Sequence, residues 1–190
     1  MHDIEPYYNW RDYYIAAEDK LSPFYGRRYS EFHFTHQIYN YYIHPQWDFF
    51  GSSTLYCKIL FADYEQQFAV IELMGEWNDA VHNDIMELKR SVIDPLIHKG
   101  ITKYVLIGEN VLNFHASDEL YYEEWFDDIK DDDGWIVALN FREHVIDEMR
   151  KTRIHYYLSL GDSFSNLLWR KVKPQNMPEL MENLMIRSLG

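Results

Sequence analysis

The stretch VLIGENVLNFHASDELYYEEW, residues 105–125, decides the fold because it joins the end of an apolar strand to the start of a helix. The apolar run at residues 102–108 is short and predicts a buried strand. A polar turn is predicted after it, made of Glu109, Asn110, Asn113, His115, Ser117 and Asp118. Either Ser117 or Asp118 can cap the next helix, which we expect to run to about Lys130.

On the N-terminal side of this stretch, the sequence predicts a β-hairpin followed by a helix. Residues 54–63 and 67–73 are rich in β-forming residues, and a short polar connection lies between them. The apolar face of the helix steps by four and three residues and consists of Val81, Ile85, Leu88 and Val92. We expect Asn78 or Asp79 to cap this helix and Pro95 to end or kink it near residues 91–94.

On the C-terminal side, strand and helix patterns continue to alternate. We predict a strand at 135–139, a helix at 142–151, a last strand at 154–160 and a tail helix that begins at Pro178. Strands that alternate with helices form parallel sheets. The fold class expected is therefore α/β, with a mixed, mainly parallel sheet that has an N-terminal β-hairpin and helices packed on it.

The domain organisation follows from length and composition. A chain of 190 residues is long enough for one domain with a substantial core. About half of the aromatic residues lie in residues 1–50, a region that we expect to pack on the same domain as the α/β part at 51–190. A single domain overall is predicted.

Charge and cysteine content limit the function classes. The net charge is −13, which disfavours nucleic acid and membrane surfaces as partners. The strongest basic stretch is at residues 169–173 and is short. A single cysteine, Cys57, allows no disulfide within the chain, and no signal peptide or membrane-spanning run is recognisable. A cytoplasmic protein is expected.

Polar side chains recur where the predicted strands end. Glu76 and Asn78 follow the second strand, the polar turn follows the third, and Asn140, Arg142 and His144 follow the fourth. The carboxyl ends of parallel strands share one edge, where α/β sheets bind ligands. A ligand or partner site is therefore predicted at Glu76, Asn78, Glu109, Asn110, Asn113, His115, Asn140, Arg142 and His144. Helix capping and turn formation explain the same residue types without a ligand.

Several specific chemistries lack their required residues. Ser163 in a Gly-Asp-Ser sequence has no histidine after it to act as a base. The acidic loop at 131–134 lacks the ligand spacing of a calcium-binding EF-hand. The sequence has no Cys/His cluster, no His-Glu-x-x-His and no glycine-rich phosphate loop. We therefore assign no catalytic residue, no metal and no cofactor.

The segments FAVIELMGEWNDAVHNDI, YVLIGENVLNFHASDELYYEEW and GWIVALN together resemble the STAS fold, the family of the anti-sigma-factor antagonists. The resemblance covers about residues 54–160. It implies a hairpin followed by alternating helices and strands, and a regulatory role through protein interaction. It also implies a phosphoacceptor at Ser117, where the residue pattern alone gives a helix-capping role.

Two functions from different classes remain open. The first is a non-enzymatic, cytoplasmic, STAS-like interaction or regulatory module. Its partner would be another protein, or a second copy of the chain bound through the aromatic N-terminal region. The alternative is a small-molecule-binding protein or enzyme at the strand ends, with His115 or His144 as the general base and Arg142 holding an anionic group.

Overall fold

The computed structural model describes residues 4–188. The strands are β1 (Gln37–Ile38), β2 (Tyr41–Tyr42), β3 (Leu55–Asp63), β4 (Phe68–Asn78), β5 (Lys103–His115) and β6 (Trp135–Leu139). The α-helices are α1 (Asp79–His82), α2 (Asp84–Leu88), α3 (Asp94–Ile97), α4 (Leu120–Ile129), α5 (Glu143–Lys151) and α6 (Met177–Ser188). A π-helical turn, Lys89–Ile93, joins α2 to α3.

The main sheet has the order β3-β4-β5-β6. Strands β3 and β4 form the predicted antiparallel hairpin, and β4–β5 and β5–β6 are parallel. The α/β class with a mixed, mainly parallel sheet is therefore confirmed. The predicted bounds of 135–139 match β6, because a continuous apolar run is typical of a strand that is covered on both faces.

Both faces of the sheet are buried, since successive residues of a strand point to opposite sides. Ile71 and Leu106 pack with residues of α2, α4 and α5 on one face, which we call the helical face. Val70 and Val105 pack on the other face, under residues of the N-terminal segment, the chain after β6 and α6. We call this second side the tail face.

Strand β5 is much longer than predicted and reaches His115. It stays paired with β4 to the last residues of both strands, where Asn78 lies opposite His115. The pairing is irregular at two places, where its register shifts: between Glu72 and Met74, and between Gly75 and Glu76. The prediction of a polar turn directly after Gly108 was therefore wrong, because strand pairing overrides the turn preference of the asparagines.

The helix predicted after β4 is divided into short pieces. Asn78 caps α1 as expected, accepting a hydrogen bond from the backbone N–H of Val81. Asn83 then adopts a left-handed conformation (φ 52°) and ends α1, so Val81 is exposed rather than part of the apolar face. Pro95 lies in the first turn of α3, directly after the π-helical turn, so the helical run does not end at residues 91–94 but continues to Ile97.

The strand predicted at residues 154–160 was wrong. A 3₁₀ turn, Ile154–Tyr156, occupies its start, and only one bridge, between Val137 and Ser159, extends the sheet there. Ile154 and Leu158 are both buried, and the Leu158 N–H donates to the Ile154 carbonyl at 3.1 Å. This spacing of four is helical, and in a short apolar run it cannot be distinguished from a strand by composition.

Gly75 should be the glycine least tolerant of a side chain. Its φ is +122°, and an added Cβ would overlap the Thr54 carbonyl oxygen. Gly26 also has a positive φ, +75°, but a Cβ there meets nothing within 4 Å. We expect Gly26→Ala to lower the free energy of unfolding by roughly 1–2 kcal/mol through backbone strain, and Gly75→Ala by about 1–3 kcal/mol more. Urea denaturation of the two variants measures the difference, and equal losses would contradict it.

Candidate functional site

The residues predicted to follow strand ends lie mostly within the strands, Glu76 and Asn78 in β4 and Glu109, Asn110, Asn113 and His115 in β5. The structure distributes them over separate contacts. Glu109 and Asn140 are hydrogen bonded, with the Asn140 Nδ2 donating to Glu109 Oε1 at 2.8 Å. Arg142 lines a cleft that these two residues share. The other predicted residues contact different partners and do not line this cleft.

The remaining carboxylates and amides pair further along the tail face. Asn113 donates to Glu76 at 3.2 Å, and the Tyr39 hydroxyl donates to the other oxygen of Glu76 at 2.6 Å. Asn110 donates to Glu72 at 3.4 Å. These bonds fix side chains of β4 against β5 and leave no shared cavity with Glu109 in the described part of the chain.

The two histidines and the serine that sequence analysis singled out lie apart. The His144 Nε2 is 2.8 Å from the Leu112 carbonyl oxygen, which ties α5 to β5. His115 is exposed at the end of β5. Ser117 is exposed in the loop before α4, and Glu119 rather than Ser117 is the N-cap of that helix. A capping role for Ser117 was therefore wrong, and its phosphorylation stays a prediction.

Glu109 is the centre of the candidate site. Its Oε1 accepts hydrogen bonds from Asn140 Nδ2 and Trp169 Nε1, both at 2.8 Å, and its Oε2 lies 2.6 Å from Arg170 Nη2. Burial by itself would raise the pKa of this carboxyl, but the hydrogen bonds from Arg170, Asn140 and Trp169 outweigh it and lower the pKa. Glu109 is therefore ionised, and both of its carboxylate oxygens accept hydrogen bonds from side chains of the protein.

Asn140 holds the chain that follows Asp162 against the end of β6. It adopts a left-handed backbone conformation (φ 54°), which asparagine tolerates better than most residues. Its side-chain amide makes two hydrogen bonds to the backbone of Leu167. It accepts one from the Leu167 N–H at 2.8 Å and donates one to the Leu167 carbonyl at 2.9 Å. Residues 161–171, which we call the tail loop, thus take a defined position beside α5.

An open cleft of about 960 Å³ lies between the tail loop and the start of α5. We call it the main cleft. Its lining consists of Glu109, Asn140, Phe141, Arg142, Glu143, Ile146, Arg150, Gly161, Asp162, Ser165, Asn166, Leu167, Leu168, Trp169, Arg170 and Lys171. The lining contains no histidine and no cysteine, so it offers neither of the usual nucleophile–base combinations.

The cationic side chains of the main cleft differ in how they are neutralised. Arg170 pairs with Glu109, and its guanidinium lies 4.4 Å from the Trp169 ring centroid. The closest ion-pair contact of Arg150 is a long one, 3.7 Å to Asp147. Arg142 and Lys171 are exposed, and within residues 4–188 neither has a carboxylate within 4 Å. The cleft therefore presents cations that are free to bind an anionic group.

Sequence analysis missed the contribution of Arg150, Trp169, Arg170 and Lys171 to this site. The basic stretch at 169–173 was recognisable in so acidic a chain, and it marked the position of the tail loop. Trp169 and Arg170 are 60 and 61 residues away from Glu109 in the sequence. Local sequence patterns carry no information on pairs so far apart.

Residues 4–188 contain no group of three or more histidine, cysteine, aspartate or glutamate side chains that could hold a metal ion. Over the same range, no helix has the length and apolar character needed to cross a membrane.

No protein-family model and no curated protein matches this chain. Solved structures are similar to part of it. The anti-sigma factor antagonist SpoIIAA in its unphosphorylated form is 14% identical, with a TM-score of 0.41 over 50% of this chain and 80% of the other. The Bacillus cell fate determinant SpoIIAA in the phosphorylated form is 11% identical, with a TM-score of 0.41 over 56% of this chain and 91% of the other.

Proposed function

We propose that the protein is a non-enzymatic interaction module that binds an acidic segment of a partner protein in the main cleft. The observation that carries the proposal is the pair of exposed cations, Arg142 and Lys171, which face the cleft without carboxylate partners in the described chain. Guanidinium and ammonium groups without local partners are suited to carboxylates supplied by a ligand.

The shape of the cleft favours an extended segment over a small molecule. At about 960 Å³ it is at the upper end of the size of small-molecule pockets, and it is open to solvent along the tail loop. Its lining also includes apolar side chains, among them Phe141, Ile146 and Leu168. A peptide with acidic residues beside apolar ones would use both kinds of surface.

Catalysis has less support at this site. The Glu109 carboxylate accepts three hydrogen bonds and has a lowered pKa, so it is a poor proton acceptor. The hydroxyl of Ser165 donates to the Gly161 carbonyl at 3.1 Å, and the lining contains no histidine that could act as its base. In the small-molecule enzyme alternative His115 or His144 is the base, and neither histidine lines the cleft that Arg142 lines.

The net charge of −13 makes the local charge of the cleft important. The chain as a whole repels acidic partners, but charges more than about 8 Å apart are largely screened at physiological ionic strength. An acidic segment that reaches the cleft meets the carboxylates Glu143 and Asp162 of the lining as well as its cations, Arg142, Lys171 and Arg150. Affinity should come from the cations and should decrease as salt is added.

Reversing the charge of the free cations is expected to abolish this binding. We expect Arg142→Glu combined with Lys171→Glu to weaken binding of a fluorescein-labelled oligoglutamate peptide by at least about tenfold, which corresponds to a loss of about 1.4 kcal/mol in binding free energy. The reason is that two attractive charges become repulsive. Fluorescence anisotropy at low and physiological salt measures the affinity. Both side chains are exposed, so the variant should fold.

The matched control reverses two exposed cations outside the cleft, Arg28→Glu and Lys99→Glu. It changes the net charge by the same amount. If the control weakens binding as much as the cleft variant, the peptide responds only to net charge and the proposal fails. Failure of the unaltered protein to bind the peptide at low salt would also contradict it.

A second copy of the chain is another candidate partner. Phe32 is 84% exposed, and Tyr39 and Tyr42 are also exposed near it in sequence. Exposed aromatic side chains of this kind are enriched at protein interfaces. The homodimer predicted from the aromatic N-terminal region is thus supported by exposure, and sedimentation velocity across micromolar concentrations tests it.

A further inference from the structure

A second cavity, of about 310 Å³, lies between the N-terminal segment and β3. We call it the N-terminal cavity. Its lining consists of Pro6, Tyr7, Arg11, Tyr14, Ile15, Ala16, Ala17, Glu18, Arg27, Tyr29, Gln46, Lys58, Ile59 and Leu60. None of these residues lines the main cleft, so the cavity is a separate feature of the molecule.

The charges of the N-terminal cavity are unusual for this chain. Acidic residues outnumber lysine and arginine by 31 to 18, yet this small cavity is lined by Arg11, Arg27 and Lys58 and by a single carboxylate, Glu18. Three cations around one cavity repel each other unless an anion lies between them.

The deepest of these cations is Lys58, whose side chain is 11% exposed. Its ammonium nitrogen lies 3.2 Å from Asp48 Oδ2 and 3.7 Å from the centroid of the Tyr29 ring. Burial, and after it the neighbouring charge of Arg11, lower the pKa of Lys58, against the opposing effect of Asp48. The contacts of this ammonium are thus one carboxylate oxygen and one ring face, which do not fill its three N–H donors.

Asp48 cannot neutralise the whole cluster. This buried carboxylate also accepts hydrogen bonds at its other oxygen, from Arg27 at 3.1 Å and from the Tyr29 hydroxyl at 2.7 Å. One negative charge is thus shared by Lys58 and Arg27. The side chain of Arg11 has no hydrogen-bond or ion-pair partner among the described residues.

We infer that the N-terminal cavity binds a small organic anion. Its oxyanion head would lie between Lys58 and Arg11, and its apolar body would lie along Ile15, Ala16 and Leu60. Carboxylate and phosphate heads share this chemistry, since both accept several charge-assisted hydrogen bonds. The volume is at the low end for a ligand pocket, which favours a small molecule over a polypeptide segment.

The test uses octanoate and octyl phosphate as probes, with octanol as the uncharged control. We expect isothermal titration calorimetry to detect both anions and not octanol. Arg11→Ala should weaken anion binding by about tenfold, as expected for a charge-assisted contact. Arg11→Lys should restore part of the affinity. Arg11 is exposed, so these variants should fold, whereas a change at Lys58 would remove the cation beside Oδ2 of the buried Asp48.

Control variants separate this cavity from other cationic surfaces. Arg187→Ala removes an exposed cation elsewhere, and Arg142→Glu alters only the main cleft. Affinity that is unchanged in both and reduced in Arg11→Ala supports the inference. It is overturned if neither anion binds, if octanol binds as well as octanoate, or if Arg11→Ala has no effect. The higher-affinity anion then identifies the head group, and none of these results bears on binding of an acidic segment.

Discussion

Replacing Lys89 with methionine is expected to lower the free energy of unfolding by about 1.5–3 kcal/mol, the loss typical of hydrogen bonds to charged groups. The Lys89 side chain is 1% exposed, and its ammonium nitrogen lies 2.6 Å from Asp94, 2.7 Å from Asp128 and 3.2 Å from Glu124. Burial alone would lower the pKa of this lysine, but its hydrogen bonds to Asp128 and Asp94 together have the larger, opposite effect. The pKa of Lys89 is therefore raised. Lys89 is therefore charged in the folded protein.

The loss should come from charge rather than from volume. Methionine fills nearly the same space as the lysine stem, so a cavity contributes little. Arg90 still reaches Asp94 at 2.9 Å and Glu124 at 2.7 Å, which leaves Asp128 as the carboxylate that loses its ion-pair partner. The network joins the π-helical turn to α4, so its removal should loosen that helix from the sheet.

Equilibrium unfolding in urea at pH 7 measures this loss. The matched control is Lys99→Met, which replaces an exposed lysine and should change stability by less than about 0.5 kcal/mol. If the two variants are equally stable, Lys89 behaves as a surface ion pair and its burial has no energetic consequence.

The sequence predicted the sheet better than the segments between its strands. The bounds of β6 and the hairpin of β3 and β4 follow from apolar runs that are buried on both faces. The second half of β5 did not follow, because its polar residues are typical of turns in isolation. In the structure Asn113 bonds to Glu76 and Asn110 to Glu72, so partners on β4 compensate for the turn preference.

The same distinction applies to the candidate site. Asn140 and Arg142 were predictable because they follow the end of β6, whereas Glu109 was predicted to follow a strand and lies within β5. Trp169 and Arg170 were not predictable, since they reach Glu109 from the distant tail loop. The N-terminal cavity was also not predictable, because it depends on Arg11 and Lys58 coming together from separate parts of the chain.

Glu72 should make the protein less stable as the pH rises from about 4.5 to 7. The residue is 1% exposed in the middle of β4, and burial raises its pKa from 4.5 to about 7. Hydrogen bonds from the Tyr7 N–H at 2.8 Å and from Asn110 at 3.4 Å oppose this shift, as does the charge of Arg170. The charge of Glu109 adds to the shift.

The direction of the effect follows from proton binding in the two states. Below pH 4.5 the carboxyl is protonated in both states, and its stabilising contribution is complete. Between pH 4.5 and 7 the folded protein holds the proton and the unfolded chain does not, so unfolding becomes easier as the pH rises. Above about pH 7 the contribution is lost, which corresponds to roughly 3 kcal/mol for this shift.

Glu72→Gln should therefore remove the slope between pH 6 and 7 and raise stability at pH 7.5 by roughly 1–3 kcal/mol. The amide keeps an acceptor for the Tyr7 N–H and needs no proton. Burial also raises the pKa of Asp79 from 3.8 to about 6, so stability should fall as the pH rises through this lower range as well. This second slope should persist in Glu72→Gln and disappear in Asp79→Asn. Urea denaturation from pH 4 to 8 measures both. Glu65→Gln, an exposed carboxyl in the hairpin connection, is the matched control. If Glu72→Gln leaves the slope above pH 6 unchanged, Glu72 does not carry the buried proton.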